Sequence, residues 1–322
     1  MKTIDKKLYE NMLLIRLVEE EIAKKYTQGK MRCPTHLSIG QEASASGVGL
    51  ALNKKDLAVS SHRAHAHYLA KGGNLKKMIA EIYGKEAGCS KGRGGSMHLI
   101  DRKVGFEGST AIVGNTIPIG VGLGLSLKLD SKDAISVIFC GDGSTEEGVF
   151  YESVNFAATK NLPVLFVCEN NSYSVYSSLK VRQPRGRKIY EMVEAMGIRS
   201  SHTDGNDVRK VYQAANFAVN QIKKTGSPFF IELETYRWLE HCGPSYDNHI
   251  GYRSELEYLE WKKRDPVKLF KKILLKEKIL TKDDIHQIDK RVKIKIKEAF
   301  KFANNAPFPK PQSAFETMYL DS

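Results

Sequence analysis

The chain has 322 residues, 41% hydrophobic and 27% charged, with a formal net charge of +13. That length buries one large α/β core or two modest ones, and no apolar run approaches the roughly 18 residues of a membrane span. The lysines are spread along the chain without a zinc-finger, arginine-rich or RNP-type pattern, which argues against a nucleic-acid partner.

Residues 1–30 alternate charge through an apolar stripe at helical spacing. They read as an amphipathic helix and not as a signal peptide, so the expected compartment is the cytoplasm. Residues 33–52, CPTHLSIGQEASASGVGLAL, begin as a loop and become a small-residue helix. Residues 56–73 read as a short strand, a polar turn and a helix stopped by Gly72-Gly73. A helix over 74–85 follows, then a glycine-rich stretch, 88–115, with few periodic apolar positions. Loops of that length inside a compact domain are usually functional.

IPIGVGLGLSLKL (117–129) predicts a closely packed helix, and AISVIFC (134–140) a fully buried strand. The spacing then predicts a helix over 144–161 with Glu146 and Glu147 in its first turn, where the dipole favours them. PVLFVCE (163–169) and PFFIELETY (228–236) are further strands, separated by an irregular basic segment (172–188) and a helix over 207–224. Beyond 253 the pattern is helical to about 303, then a proline-containing tail. Strands alternating with helices imply a doubly wound, mostly parallel α/β sheet. The expected organisation is an α/β domain over 1–254 and a helical extension over 255–322 packed on it.

Five cysteines, at 33, 89, 140, 168 and 242, are odd in number and form no C-x-x-C pair, so no disulfide framework is expected; Cys140 and Cys168 end apolar runs and are expected as buried thiols. The HRAHAH stretch places His62, His65 and His67 close enough for a metal cluster to be weighed. His98 is balanced between a structural loop residue and a site residue.

The most informative segment is CGDGSTEEG…CENNSY, residues 140–173. Asp142 and Asn171 each follow an apolar strand, and a right-handed crossover brings both strand ends to one edge, where open α/β sheets bind ligands. Three readings compete. Gly-Asp-Gly and Asn-Asn are ordinary turns at strand ends. Alternatively the segment binds a dinucleotide, but GDGSTEEG has the wrong third-glycine spacing. In the third reading, Asp142 and Asn171 supply hard oxygens to a Mg²⁺ that bridges a diphosphate. Gly141 and Gly143 then admit phosphate to the backbone, and N–H groups from Ser144 onward face it.

The third reading gains from a wider resemblance. HLSIGQEA (36–43), SSHRAHAHYLAKGG (60–73), KGRGGSMH (91–98), AIVGNTIPIGVGLGLS (111–126), the 140–173 motif, ETYRWLEHCGPSYDNHIGYR (234–253) and RDP (264–266) occur in one order. Together they resemble the alpha subunit of the decarboxylating first component of 2-oxo acid dehydrogenases of the pyruvate, acetoin or branched-chain type. The resemblance covers about residues 10–270. It implies thiamine diphosphate and Mg²⁺ as cofactors. Asp142, Asn171 and the Tyr173 carbonyl would then hold the metal, while Gly143 and Ser144 N–H groups and Arg63 would hold the diphosphate. His62 stands where the family usually has Tyr, and would contact phosphate. His241 would lie beside the diphosphate and His36 near the substrate. Val113 would flank the aminopyrimidine, with Ile117 as the apolar wedge that bends the cofactor.

The same resemblance implies a beta subunit carrying the pyrimidine-binding domain, an α2β2 assembly, and acyl transfer from a 2-oxo acid to a lipoyl acyltransferase. A carboligase with the same cofactor but no lipoyl partner, and a non-catalytic phosphate-binding subunit, are the alternatives. Two departures stand out. HCGPSYDN replaces the usual His-Ser-Met-Ser-Asp-Pro, so Cys242 occupies the position of a serine phosphorylated in some members. CPTH replaces the commoner Gly-Phe-x-His before His36.

Overall fold

A computed structural model describes residues 2–31 and 33–316. The last residues of the expected helical extension, 317–322, lie outside the described residues. In chain order the elements are α1 (Lys2–Tyr26), α2 (Glu42–Ala51), β1 (Leu57–Ser60), α3 (His65–Ala70), α4 (Leu75–Ile82) and β2 (Phe106–Ser109). Then come α5 (Thr116–Leu129), β3 (Ser136–Gly141), α6 (Gly148–Lys160), β4 (Val164–Asn170), a two-residue pair β5 (Tyr173–Ser174) and β6 (Ser177–Ser178), and α7 (Leu179–Arg182). The chain continues through α8 (Ile189–Ala195), β7 (Arg199–Asp204), α9 (Val208–Thr225), β8 (Phe229–Glu234), α10 (Glu255–Lys263), α11 (Pro266–Lys276) and α12 (Lys282–Asn305).

Six strands form one parallel sheet in the order β2-β1-β3-β4-β8-β7. Helices cover both faces, because the central strands are apolar on both. Val137, Phe139, Leu165 and Val167 face a core shared with Leu8 and Met12 of α1, Val48 of α2, Val211 of α9 and Val292 of α12. Their alternates, Ile138, Cys140, Phe166 and Cys168, face a second core with Val121 of α5, Phe150 and Val154 of α6 and Val193 of α8. The expected doubly wound α/β architecture is therefore present.

The C-terminal helices share the first core with α1: Phe270 and Leu274 of α11 and Ile285 of α12 are buried in it. A buried ion network ties the same regions. Arg16 of α1 donates to Glu42 at 2.6 and 2.9 Å and to Asp265, at the N-cap of α11, at 3.2 and 3.4 Å.

Several local expectations need correction. The 88–115 stretch is not all loop, since it contains β2, a four-residue strand interrupted by Gly108. Two elements after 188, α8 and β7, were not anticipated, because β7 is the polar edge sequence RSSHTD. Residues 142–146 form a 3₁₀ turn and the regular helix starts only at Gly148, so Glu146 lies in that turn and Glu147 caps α6.

The glycines of α5 do bring it close to the sheet. A Cβ on Gly120 would lie 2.2 Å from Cγ1 of Ile138. Gly120→Ala should therefore cost about 1–3 kcal/mol by overpacking. Urea denaturation checks this; an unchanged midpoint would show that α5 can retreat freely.

Candidate functional site

β3 and β4 are adjacent and parallel, with Gly141 opposite Glu169. Their carboxyl ends therefore present Asp142 and Asn171 at one edge. Ten of the expected site residues line a single cleft there: His62, Arg63, Val113, Gly141, Asp142, Gly143, Ser144, Asn171, Tyr173 and His241. His36 stands just behind it, its ring centre 4.5 Å from that of His62 and 5.0 Å from that of His241. Ile117 does not line the cleft; it is fully buried at the start of α5 in the second core.

Asp142 is 1% exposed, and burial pushes its carboxyl above the usual range against the opposing pull of Arg182. Arg182, from α7, reaches back to pair with Asp142 and, at 2.5 Å, with Glu146. A cation keeps a carboxylate buried in this way charged, and here that cation is the Arg182 guanidinium. Asn171 is also buried; its Oδ1 accepts from the Tyr173 N–H at 3.1 Å and its amide donates to Gln41 at 3.4 Å.

The backbone around these groups is shaped for close approach. A Cβ on Gly141 would meet nothing within 4 Å, leaving that side open, whereas one on Gly143 would lie 2.7 Å from Ser174 Oγ. Val175, which also lines the cleft, has φ +53°, and Ser172 has φ +67°. A β-branched residue in the left-handed region is strained, and such strain concentrates at functional loops. The Val175 carbonyl is held by Arg237 at 2.7 Å. These donors fit a hard cation bridging a diphosphate: one carboxylate, one amide oxygen and accessible backbone at two strand ends.

Arg63 is buried and donates to the carbonyls of Leu37 at 2.6 Å and His241 at 3.1 Å. Burial, then Arg237, lowers its pKa to about 10. Three imidazoles, His36, His62 and His241, gather beside it. Burial first and Arg63 second push His36 down to about 2, and His62 and His241 each to about 3. All three are held neutral at pH 7, as hydrogen-bonding groups rather than bases.

A pH dependence follows. Each ring has a folded pKa below its unfolded value of about 6.5, so the unfolded chain binds more protons below that pH. The stability these groups contribute is full above about pH 6.5 and is lost as pH falls toward 3. In chelator, the urea midpoint should drop steeply from pH 7 to 5, and His62→Tyr should shallow that slope by about one proton. An identical slope in the variant would contradict the shift.

The histidines of HRAHAH do not form a cluster. His65 is fully buried, with Nδ1 2.6 Å from Glu19 and Nε2 2.8 Å from Ser96. His67 shares a hydrogen with Ser60 at 2.8 Å, lies 3.1 Å from Glu169, and stacks on Phe139. All five cysteines are free, as composition suggested. Sequence reading did not single out Gln41, Glu169, Ser174 or Arg182. Arg182 had a signal in the basic character of 172–188, and Gln41 in its place within HLSIGQEA.

A larger cavity, about 880 Å³, opens between the end of α1, the glycine-rich loop and Phe308. Its one buried acid, Glu81, already accepts four backbone N–H groups. It is not the chemical centre.

The dehydrogenase E1 component family matches residues 10–312. The chain belongs to this family. E1 relatives match nearly end to end. The chain is 37% identical over 313 residues to the pyruvate dehydrogenase E1 component subunit alpha of Rickettsia felis, covering 97% of this chain and 95% of that protein. The protein of the same name from Rickettsia bellii is 36% identical over 98% of this chain and 95% of its own length. The chloroplastic subunit alpha-3 of Arabidopsis thaliana is 35% identical over 98% of this chain and 74% of its own length. Among the described residues no helix is long and apolar enough to cross a membrane.

Proposed function

We propose that this chain is the alpha subunit of a thiamine diphosphate-dependent 2-oxo acid dehydrogenase, with Mg²⁺ held by Asp142, Asn171 and the Tyr173 carbonyl. The observation that carries the reading is the buried Asp142–Asn171 pair at adjacent strand ends, in a chain of the E1 family. When bound, the cofactor supplies the electron sink for loss of CO₂. The chain's own residues supply position and charge. Gly141 leaves its backbone open to phosphate oxygens, Gly143 and Ser144 would add N–H groups, and Arg63 adds positive charge beside them. Arg182, which pairs with Asp142 here, would give way where that carboxylate holds a metal. His36 and His241, held neutral beside Arg63, would orient the substrate carbonyl by hydrogen bonding. The Nδ1 of His36 is buried without a partner and is free for that task.

The cleft is half a site. Its volume is about 90 Å³, against roughly 300–1,000 Å³ for pockets that enclose a drug-sized ligand. Beside it Ile112, Val113 and Ile119 are 64%, 40% and 49% exposed. We assign this apolar rim to a beta subunit that completes the cofactor pocket in an α2β2 assembly, and we place acyl transfer on a lipoyl acyltransferase. A carboligase and a non-catalytic subunit are less well supported, since the relatives named above are dehydrogenase subunits.

The test is a panel of 2-oxo acids with a dye acceptor, run on the chain alone and co-expressed with its beta partner. Turnover is expected in the pair only. Robust decarboxylation by the isolated chain would overturn the split-site reading.

A further inference from the structure

We propose that His36, His62 and His241 form a second metal site, separate from the oxygen site at Asp142, which takes a transition dication of the zinc type. One ligating nitrogen from each ring lies within 4.8 Å of the others. A tetrahedral zinc with bonds of about 2.0–2.1 Å sets its nitrogens about 3.4 Å apart, so each ring needs to move by less than about 1 Å. His36 is 6% exposed and its Nδ1 has no hydrogen-bond partner, so the ring carries a buried nitrogen with nothing to satisfy it. Three imidazoles with an open fourth position suit zinc, cobalt or copper, and not Mg²⁺, which takes oxygen ligands.

The three residues come from separate parts of the fold. His36 lies before α2, His62 between β1 and α3, and His241 beyond β8. His65 and His67, the sequence neighbours of His62, are committed to Glu19 and Glu169 and contribute nothing. Arg63 opposes a dication at this point. Its guanidinium is anchored on the carbonyls of Leu37 and His241, and an anionic fourth ligand, hydroxide or carboxylate, offsets the remainder.

His62 and His241 also line the cofactor cleft. A metal on the three rings and a diphosphate therefore exclude one another, a consequence that rests on the cofactor reading; metal uptake by itself does not.

The experiment titrates the full chain, without cofactor, with Co²⁺ followed by visible absorption and with Zn²⁺ followed by calorimetry. One equivalent should bind, giving the intense d–d bands of a four- or five-coordinate site. His62→Tyr and His36→Gln should each weaken Zn²⁺ at least tenfold with an unchanged circular dichroism spectrum. Asp142→Ala should leave it unchanged. No uptake, uptake that survives both histidine variants, or uptake lost with Asp142→Ala overturns the proposal. In the metal-loaded chain co-expressed with its beta partner, adding thiamine diphosphate with Mg²⁺ should release the cobalt signal. Intact zinc binding without that release would sink the cofactor overlap and leave the tri-histidine site standing.

Discussion

Asp142→Ala should weaken binding of Mg²⁺–thiamine diphosphate by at least about 100-fold, measured by calorimetry on the co-expressed subunits. Asp142 is the one carboxylate among the proposed metal ligands, and it is 1% exposed. A buried site with the carboxylate removed loses the charge that balances the metal, and Asn171 offers only a neutral oxygen in its place. Asp142→Asn keeps the shape and one oxygen, so it should fall between the two. The fold should survive both, because Arg182 keeps its 2.5 Å contact with Glu146. Affinity equal to wild type in the alanine variant, with the fold intact, would dismiss the metal–diphosphate reading.

The second large effect concerns stability. Glu81→Gln should cost about 3–5 kcal/mol and expose residues 88–98 to protease. Glu81 is fully buried at the end of α4, and its carboxylate accepts from the N–H groups of Ser90 at 2.7 Å, Gly92 at 2.9 Å, Gly94 at 2.7 Å and Gly95 at 3.2 Å. These bonds wind the glycine-rich loop around one anion. A glutamine turns an NH₂ toward donors that need an acceptor. Gly88 adds to the constraint, since a Cβ there would lie 2.2 Å from Glu81 Oε2. The loop in turn supports the site: Ser96 holds His65, His65 holds Glu19, and Glu19 accepts the Ser38 N–H, two residues beyond His36. An unfolding free energy in urea within about 0.5 kcal/mol of wild type would show the loop to be held by something else.

The fold was legible where burial is two-sided. β3 and β4 are apolar on both faces, so their sequences read as continuous apolar runs, and the residues just beyond them could be placed on one edge. β7 was not legible, because an edge strand with polar faces carries no such pattern. β2 escaped for a different reason: four residues with a glycine inside offer too few positions for any period to emerge. The onset of α6 was read too early because Glu146 and Glu147 imitate an acidic first turn, whereas the chain completes a 3₁₀ turn before the helix begins.

Within the candidate site, Asp142 and Asn171 could be named from spacing because they follow strands, and the other site residues through the family resemblance. Arg182 on Asp142 and the meeting of His36, His62 and His241 could not. Those contacts join residues far apart along the chain, and local spacing says nothing about them.

Arg16 binds both Glu42 and Asp265, and the second of these lies 249 residues further along. At about 5–20 residues per second, a ribosome takes about 12–50 s to deliver that distant acid. In this interval α1 can pack on α2 and α9 as they emerge, but its guanidinium is only half neutralised. Premature termination before α11 would therefore leave Arg16 without its second acid and the face of α1 that packs on α11 uncovered, giving a polypeptide prone to clumping rather than a smaller working subunit.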